Sequence, residues 1–205
     1  MVSNLQGADD NASAVAGMLE LARLINKYEG ELDKQIEFVA YTLEEPPYFS
    51  TESMGSAVHV KNLLDKGEDI KLMICLEMIG YYSDKKNSQS YPAPWLNWIY
   101  PNKGDFIAVV GRFEDYMFTR KIKKAFKKSA DIKTWSLNAP KTFPGIDFSD
   151  HRNYWKHDIN AVMVTDTAFY RNYNYHEKTD TIDTLNFEKM SEVVVGVYYY
   201  LVNFK

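Results

Sequence analysis

Apolar and polar residues along this chain follow two rhythms that replace one another several times. From Ala14 to Ile25 the apolar positions are Ala14, Val15, Met18, Leu19, Leu21, Ala22 and Ile25, the three-to-four spacing of a helix with one face in a core. Asp9, Asp10, Asn11 and Ser13, just ahead, are the short polar residues that start helices. Residues 35–42 (Gln-Ile-Glu-Phe-Val-Ala-Tyr-Thr) read as a strand, stopped by Pro46 and Pro47, which cannot continue a central ladder. The pattern then predicts a helix over 55–65, a strand over 70–79, a long loop over 82–103, a strand over 105–110 and a helix over 114–128. A strand over 131–136, an irregular stretch over 138–157, a strand over 159–164 and a closing helix over 187–203 complete the chain. Strands alternating with helices predict an α/β fold with a mainly parallel sheet covered on both faces. No repeat, low-complexity tract or boundary divides the chain, so a single domain over 1–205 is expected. In such sheets, sites form beyond the carboxyl ends of the strands.

Composition narrows the class. The 205 residues suffice for one sizeable core, and no apolar run is long enough to cross a bilayer. A net charge of −4 gives no reason to expect a nucleic-acid partner. The densest basic stretch, residues 120–128, is expected to be the solvated face of a helix whose apolar stripe is Met117, Ile122 and Phe126. Its alternative reading is a grip on phosphates. One cysteine, Cys75, excludes an internal disulfide and any cysteine-rich zinc site, and reads as a small buried hydrophobe. Met1 to Gly7 lack the basic start and apolar stretch of a signal peptide.

Four segments stand out chemically. Asp9 and Asp10 open a helix, where acidic residues are ordinarily caps that complement the dipole. Glu44 and Glu45 precede two prolines; adjacent glutamates are ordinarily surface residues, but the prolines favour a fixed geometry. Glu77 lies in the apolar strand Leu76-Glu77-Met78-Ile79, where an unpaired carboxylate is costly to bury. His176 lies in the loop segment Tyr175-His176-Glu177, with Asp180-Thr181 after it, where a lone histidine is ordinarily a surface residue. Together they form a set of carboxylates plus an imidazole, which suits a divalent ion such as zinc.

The ordered set resembles the co-catalytic di-zinc aminopeptidases. The motifs are Gly7-Ala-Asp-Asp-Asn-Ala-Ser13, Glu44-Glu-Pro-Pro47 with Met54-Gly-Ser56, Leu76-Glu-Met-Ile-Gly80, Ser149-Asp-His151, and Thr165-Asp-Thr-Ala-Phe-Tyr-Arg-Asn172 leading to Tyr175-His176. Each is weak alone, but they cover nearly the whole chain in the family's order. The resemblance implies a three-layer α/β/α fold with a mixed, mainly parallel sheet, a peptide substrate, and zinc-dependent removal of N-terminal residues. It implies that Asp10 bridges two zinc ions, Glu45 and His176 complete one site, Glu77 is the acidic ligand of the other, and Glu44 is the general base. Asp150, His151, Asp166 and Arg171 match motif positions as pocket residues or as supports of the ligands. It further implies a cis peptide bond between Asp10 and Asn11.

The family's upstream His-x-Asp motif has no counterpart here: nine residues precede Asp10, and none is a histidine. The expectation is therefore a chain that is naturally short or starts late, with one zinc or none at high occupancy and reduced activity. A single-zinc glutaminyl-cyclase-like enzyme, using Asp10, Glu45 and His176, is the alternative enzyme. An inactive metal-binding or scaffold relative is the alternative of another class.

Overall fold

In a computed structural model, which describes residues 6–204, the chain forms four strands and five α-helices. The reading that Met1 to Gly7 lack the basic start and apolar stretch of a signal peptide falls largely outside the described residues. The helices are α1 (Ala14–Asn26), α2 (Gly55–Asp65), α3 (Tyr116–Ser129), α4 (His151–Trp155) and α5 (Phe187–Asn203). The strands are β1 (Met73–Glu77), β2 (Phe106–Gly111), β3 (Lys133–Asn138) and β4 (Ala161–Thr165). They form one sheet in the order β1-β4-β2-β3. The β1–β4 and β2–β3 pairs are parallel and β2–β4 is antiparallel, so the sheet is mixed and mainly parallel.

Because side chains alternate across a strand, each central strand feeds two cores. Ile107 and Val109 of β2 and Val162 and Val164 of β4 point into a cluster with Leu21 of α1, Ile122 and Phe126 of α3, and Val193 and Val197 of α5. Phe106, Ala108 and Val110, with Ala161 and Met163, point the other way, against Val60 of α2 and Tyr154 and Trp155 of α4. The expected three layers are therefore present. Cys75 is buried in the second core, as its apolar context indicated. β4 is buried at all five positions, as expected of a strand covered on both faces.

Three expectations need correction. Residues 35–42 join no ladder among the described residues, although their side chains alternate between exposed and half-buried up to Phe38. Period-two burial requires only an extended chain lying on a surface; a strand also requires a hydrogen-bonded neighbour. The stretch 138–157, expected to be irregular, contains the single helical turn and a half of α4, too short to show a period. Met117 does not belong to the apolar stripe of α3: it is 57% exposed, while Ile122 and Phe126 are buried. Five residues separate Met117 from Ile122, and at ~100° per residue this puts them about 140° apart around the helix. The same geometry leaves Val15 and Leu19 exposed on α1.

Candidate metal centre

The centre lies beyond the carboxyl ends of β1 and β4. β2 runs against β4, so its own carboxyl end points away. Glu77 is the last residue of β1 and pairs in register with Thr165, the last of β4. Beyond them Asp166 N–H donates to Met78 O at 2.7 Å, extending the pairing by one step. Met78 has φ 48, and Leu43, Thr167, Ala168 and His176 are likewise in left-handed conformations. Non-glycine residues of this kind cost of order 1–3 kcal/mol each and persist where their surroundings over-determine them. Here they border Glu44, Glu77 and Asp166, and one of them is His176 itself.

The turn over residues 8–13 delivers Asp10. Gly7 has φ 59, and a Cβ there would lie 2.5 Å from the Asp10 carbonyl oxygen, so only glycine fits that approach. The peptide bond Asp10–Asn11 is cis, as expected. Asp180 fixes this turn from the far end of the chain: its two carboxylate oxygens accept the backbone N–H of Asp9 at 2.9 Å and of Asp10 at 3.1 Å. Asn11 links the turn to β1, accepting from Met78 N–H at 2.9 Å and donating to Glu77 Oε2 at 3.3 Å.

Asp10, Glu45 and His176 converge. His176 Nε2 is 3.1 Å from Asp10 Oδ2 and 3.0 Å from Glu45 Oε1, and one ligand atom from each of the three lies within 4.8 Å of the others. These separations suit one small cation, because ligand atoms bound tetrahedrally at ~2.0–2.1 Å stand about 3.3 Å apart. The His176 ring stacks on Tyr175 at 3.8 Å, which orients the imidazole. Glu77 is not in this group. Its Oε2 accepts from Ser149 Oγ at 2.6 Å and faces Asn11. Glu44 lies among the carboxylates without belonging to the converging set.

The electrostatics call for positive charge. Burial, then repulsion by Glu45, pushes Asp10 up to about 6, with His176 pulling the other way. Burial and then Glu45, Asp150 and Asp10 push Glu44 up to about 8, while Arg152 lowers it. Glu77 is held well above the usual carboxylate range by burial, partly offset by the Ser149 hydrogen bond. Positive charge amid these groups reverses the mutual repulsion and lowers all of them. The donor set thus fits a divalent ion of zinc's type: two carboxylates and one imidazole within bonding reach, with further acid groups around them.

The remaining motif residues lie outside the converging group of Asp10, Glu45 and His176. Asp150 is hydrogen-bonded by Ser56 Oγ and is pushed up to about 6 by burial. His151 is fully buried, its Nε2 on Ile146 O at 2.7 Å and its ring edge-to-face with Trp155. Desolvation depresses its pKa to about 4, so it is neutral at pH 7. Asp166 shares a hydrogen bond with Asp9; burial raises both, and repulsion by Asp9 raises Asp166 further, while the shared bond pulls Asp9 the other way. Arg171 is buried against the Phe106 ring and donates to Gln89 Oε1 at 2.8 Å and Phe106 O at 2.9 Å. None of the four lines the apolar cavity described next.

Asp180, Asn11, Ser149 and Asp9 were missed as positioning residues. Asp9 is no exposed cap: its buried carboxyl accepts from Gly80 N–H at 2.9 Å and Asn172 Nδ2 at 2.8 Å. The available signal was that Asp9, Asn11, Ser149 and Asn172 sit inside the quoted motifs beside the named ligands, and Asp180 follows close after His176. Removing the anchor tests it. Asp180→Ala leaves two N–H donors without their acceptor, and loss of such supporting partners typically weakens metal binding ~10–100-fold. Competition with a chelating dye should show zinc affinity falling by that factor; unchanged affinity would remove Asp180 from the centre.

Beside the centre lies a cavity of about 120 Å³ whose lining includes Tyr91, Leu96, Phe106, Met163 and Phe169, with Glu77 and Tyr175 at the metal end. No helix of the described residues is long and apolar enough to cross a membrane.

Comparisons with known proteins bear on the family and the fold. The chain is 55% identical over 199 residues to the uncharacterized protein YfbL of Escherichia coli (strain K12), covering 97% of this chain and 60% of that one. It is 25% identical over 203 residues to leucine aminopeptidase 1 of Ajellomyces capsulatus, covering 95% of this chain and 47% of the relative. Among solved structures, BSAP, a zinc aminopeptidase from Bacillus subtilis, superposes with a TM-score of 0.68 at 22% identity. The superposition covers 97% of this chain and 42% of that one. The chain thus spans about half the length of the relatives it matches. The family model of peptidase family M28 matches residues 2–201, and this chain belongs to that family.

Proposed function

We propose that residues 1–205 are one catalytic domain of a zinc-dependent aminopeptidase. The observation that carries this reading is the convergence of Asp10, Glu45 and His176, which are far apart in sequence, on a space sized for one small cation. We assign zinc to these three residues first; Glu77 is the acidic group closest in role to a second site. Zinc held there would lower the pKa of a bound water toward ~7 and polarise a peptide carbonyl.

The protein's own groups supply the rest. Glu44, adjacent to the ligand Glu45 but outside the ligand set, takes the water's proton and delivers it to the leaving amine. Asp180 and Asn11 hold the turn that carries Asp10, and Ser149 holds Glu77. The apolar cavity next to Glu77 and Tyr175 excludes water and accepts an apolar side chain of the terminal residue.

The test compares leucine p-nitroanilide with its N-acetylated form, before chelation, after it, and after zinc is restored. Hydrolysis of the free-amine substrate alone, lost on chelation and regained with zinc, is the expected result. Zinc-independent or absent hydrolysis sinks the peptidase reading. Cyclisation of an N-terminal glutaminyl peptide in place of hydrolysis would install the cyclase-like reading, which uses the same three ligands.

A further inference from the structure

The edge of the sheet formed by β3 carries two outward-facing features, beside the inward-facing Leu96 and Tyr100 that line the apolar cavity. The first is the outer face of α3. Between Tyr116 and Ser129 there are six basic residues and no acidic one. At ~100° per residue, Tyr116, Met117, Arg120, Lys124, Lys127 and Lys128 fall on one side of the helix, opposite buried Ile122 and Phe126. Arg120, Lys124, Lys127 and Lys128 are exposed, and none forms an ion pair among the described residues. Five positive groups on one face, counting Lys123, contrast with a whole-chain net charge of −4. The acidic neighbours of the helix in sequence are Glu114 and Asp115 before it and Asp131 after it, and Asp115 is buried in an ion pair with Arg112.

The second feature is the loop before β2. Its 3-10 turn, Pro94–Trp98, buries Leu96 but leaves Trp95 47%, Trp98 88% and Ile99 57% exposed. The loop and the helix meet at one residue of the edge strand. Tyr100 packs edge-to-face on Trp135 at 5.5 Å, and Lys123 Nζ lies 5.4 Å over the same ring. Tyr100 Oη and Lys123 Nζ both reach Ser136, at 2.8 Å and 3.4 Å. Exposed tryptophans and an unneutralised basic face therefore flank the same strand edge. Phe113, Tyr116 and Met117 add apolar surface, 60%, 49% and 57% exposed.

We propose that this edge is a peripheral docking surface for an anionic lipid bilayer. Tryptophan rings favour the headgroup level of a bilayer, where one part is apolar and the N–H stays wet. Lysine and arginine near an anionic surface add about 1 kcal/mol each, and long basic side chains spread toward headgroups while burying their stems. A nucleic acid would satisfy the basic face and stack on the tryptophans. It offers nothing to Ile99, Phe113 and Met117, whose exposed apolar surface a lipid interface would take out of water. The remaining surface, net negative, repels a polyanion that must wrap the protein, whereas a planar membrane meets one edge alone.

The experiment is co-sedimentation of the chain with vesicles of phosphatidylcholine alone and of phosphatidylcholine with 30% phosphatidylglycerol. Binding to the anionic vesicles alone, weakening as salt is raised, is expected. The triple variant Lys124→Gln, Lys127→Gln, Lys128→Gln should lower the partition coefficient on the order of 100-fold, from ~1 kcal/mol per charge removed. Trp98→Ala should lower it less and leave the salt dependence intact. All four positions are exposed, so far-UV circular dichroism should match the parent. The parent's own salt titration tests the proposal without any variant. Equal binding to both vesicle types, no binding, or an unaffected triple variant overturns it. Tighter binding to single-stranded DNA than to anionic vesicles, lost in the same variant, also overturns it and turns the face into a nucleic-acid surface.

Discussion

His176→Ala should empty the metal centre. The imidazole is the one nitrogen among three ligand atoms, and of the two carboxylates that remain, Asp10 is already raised by burial and then by repulsion from Glu45. Structural zinc sites bind with ~10–16 kcal/mol over four ligands, or about 3 kcal/mol each, so the loss is at least ~100-fold in affinity. The fold should be spared: His176 is half-exposed, stacks only on Tyr175 among the described rings, and belongs to neither core cluster. Elemental analysis after gel filtration, with a thermal melt beside it, reads both quantities. Retention of stoichiometric zinc by His176→Ala would show that the metal sits elsewhere, and the role of Asp10 and Glu45 would fall with that of His176.

Glu44→Gln should separate chemistry from binding. The side chain keeps its length and shape but can no longer accept a proton, and general-base catalysis of this kind contributes typically 10²–10⁴-fold. The turnover number for leucine p-nitroanilide should therefore drop by that factor, with KM nearly unchanged and the zinc content equal to the parent's. A change in kcat without one in KM is the signature of an interaction made only in the transition state. Two results refute the assignment in different ways. Loss of zinc together with activity makes Glu44 a ligand. Full activity makes it a bystander in an acidic cluster.

The contrast between these two neighbours shows where sequence reading reached its limit. Glu44 and Glu45 are consecutive, and their separate roles came only from the motif order. In the structure a left-handed Leu43 precedes them, and the prolines after them are joined by a cis bond. Glu45 faces His176 while Glu44 faces Asp150 and the other carboxyls. The informative single residue was Glu77, because a carboxylate in an apolar strand needs a partner wherever it is found. Its partners, Ser149 and Asn11, are contributed by segments 72 and 66 residues away. Both lie inside the quoted motifs, but no local pattern pairs them with Glu77.

The hydrophobic pattern by itself determined the elements. Helices α2 and α5 have the expected bounds, and the four observed strands lie within two or three residues of the expected ones. Periodicity is a local consequence of burying one face, so it can be read without knowing what covers that face. Tertiary structure alone decided the rest. Residues 35–42 alternate like a strand but pair with none of the described strands, because a ladder needs a neighbour that no periodicity specifies. β2 runs antiparallel to β4, which fixes the ends of β1 and β4 as the site. Asp180 anchors Asp9 and Asp10 across 170 residues. Such contacts depend on which segments the packed sheet brings together, and spatial convergence leaves no trace in spacing along the chain.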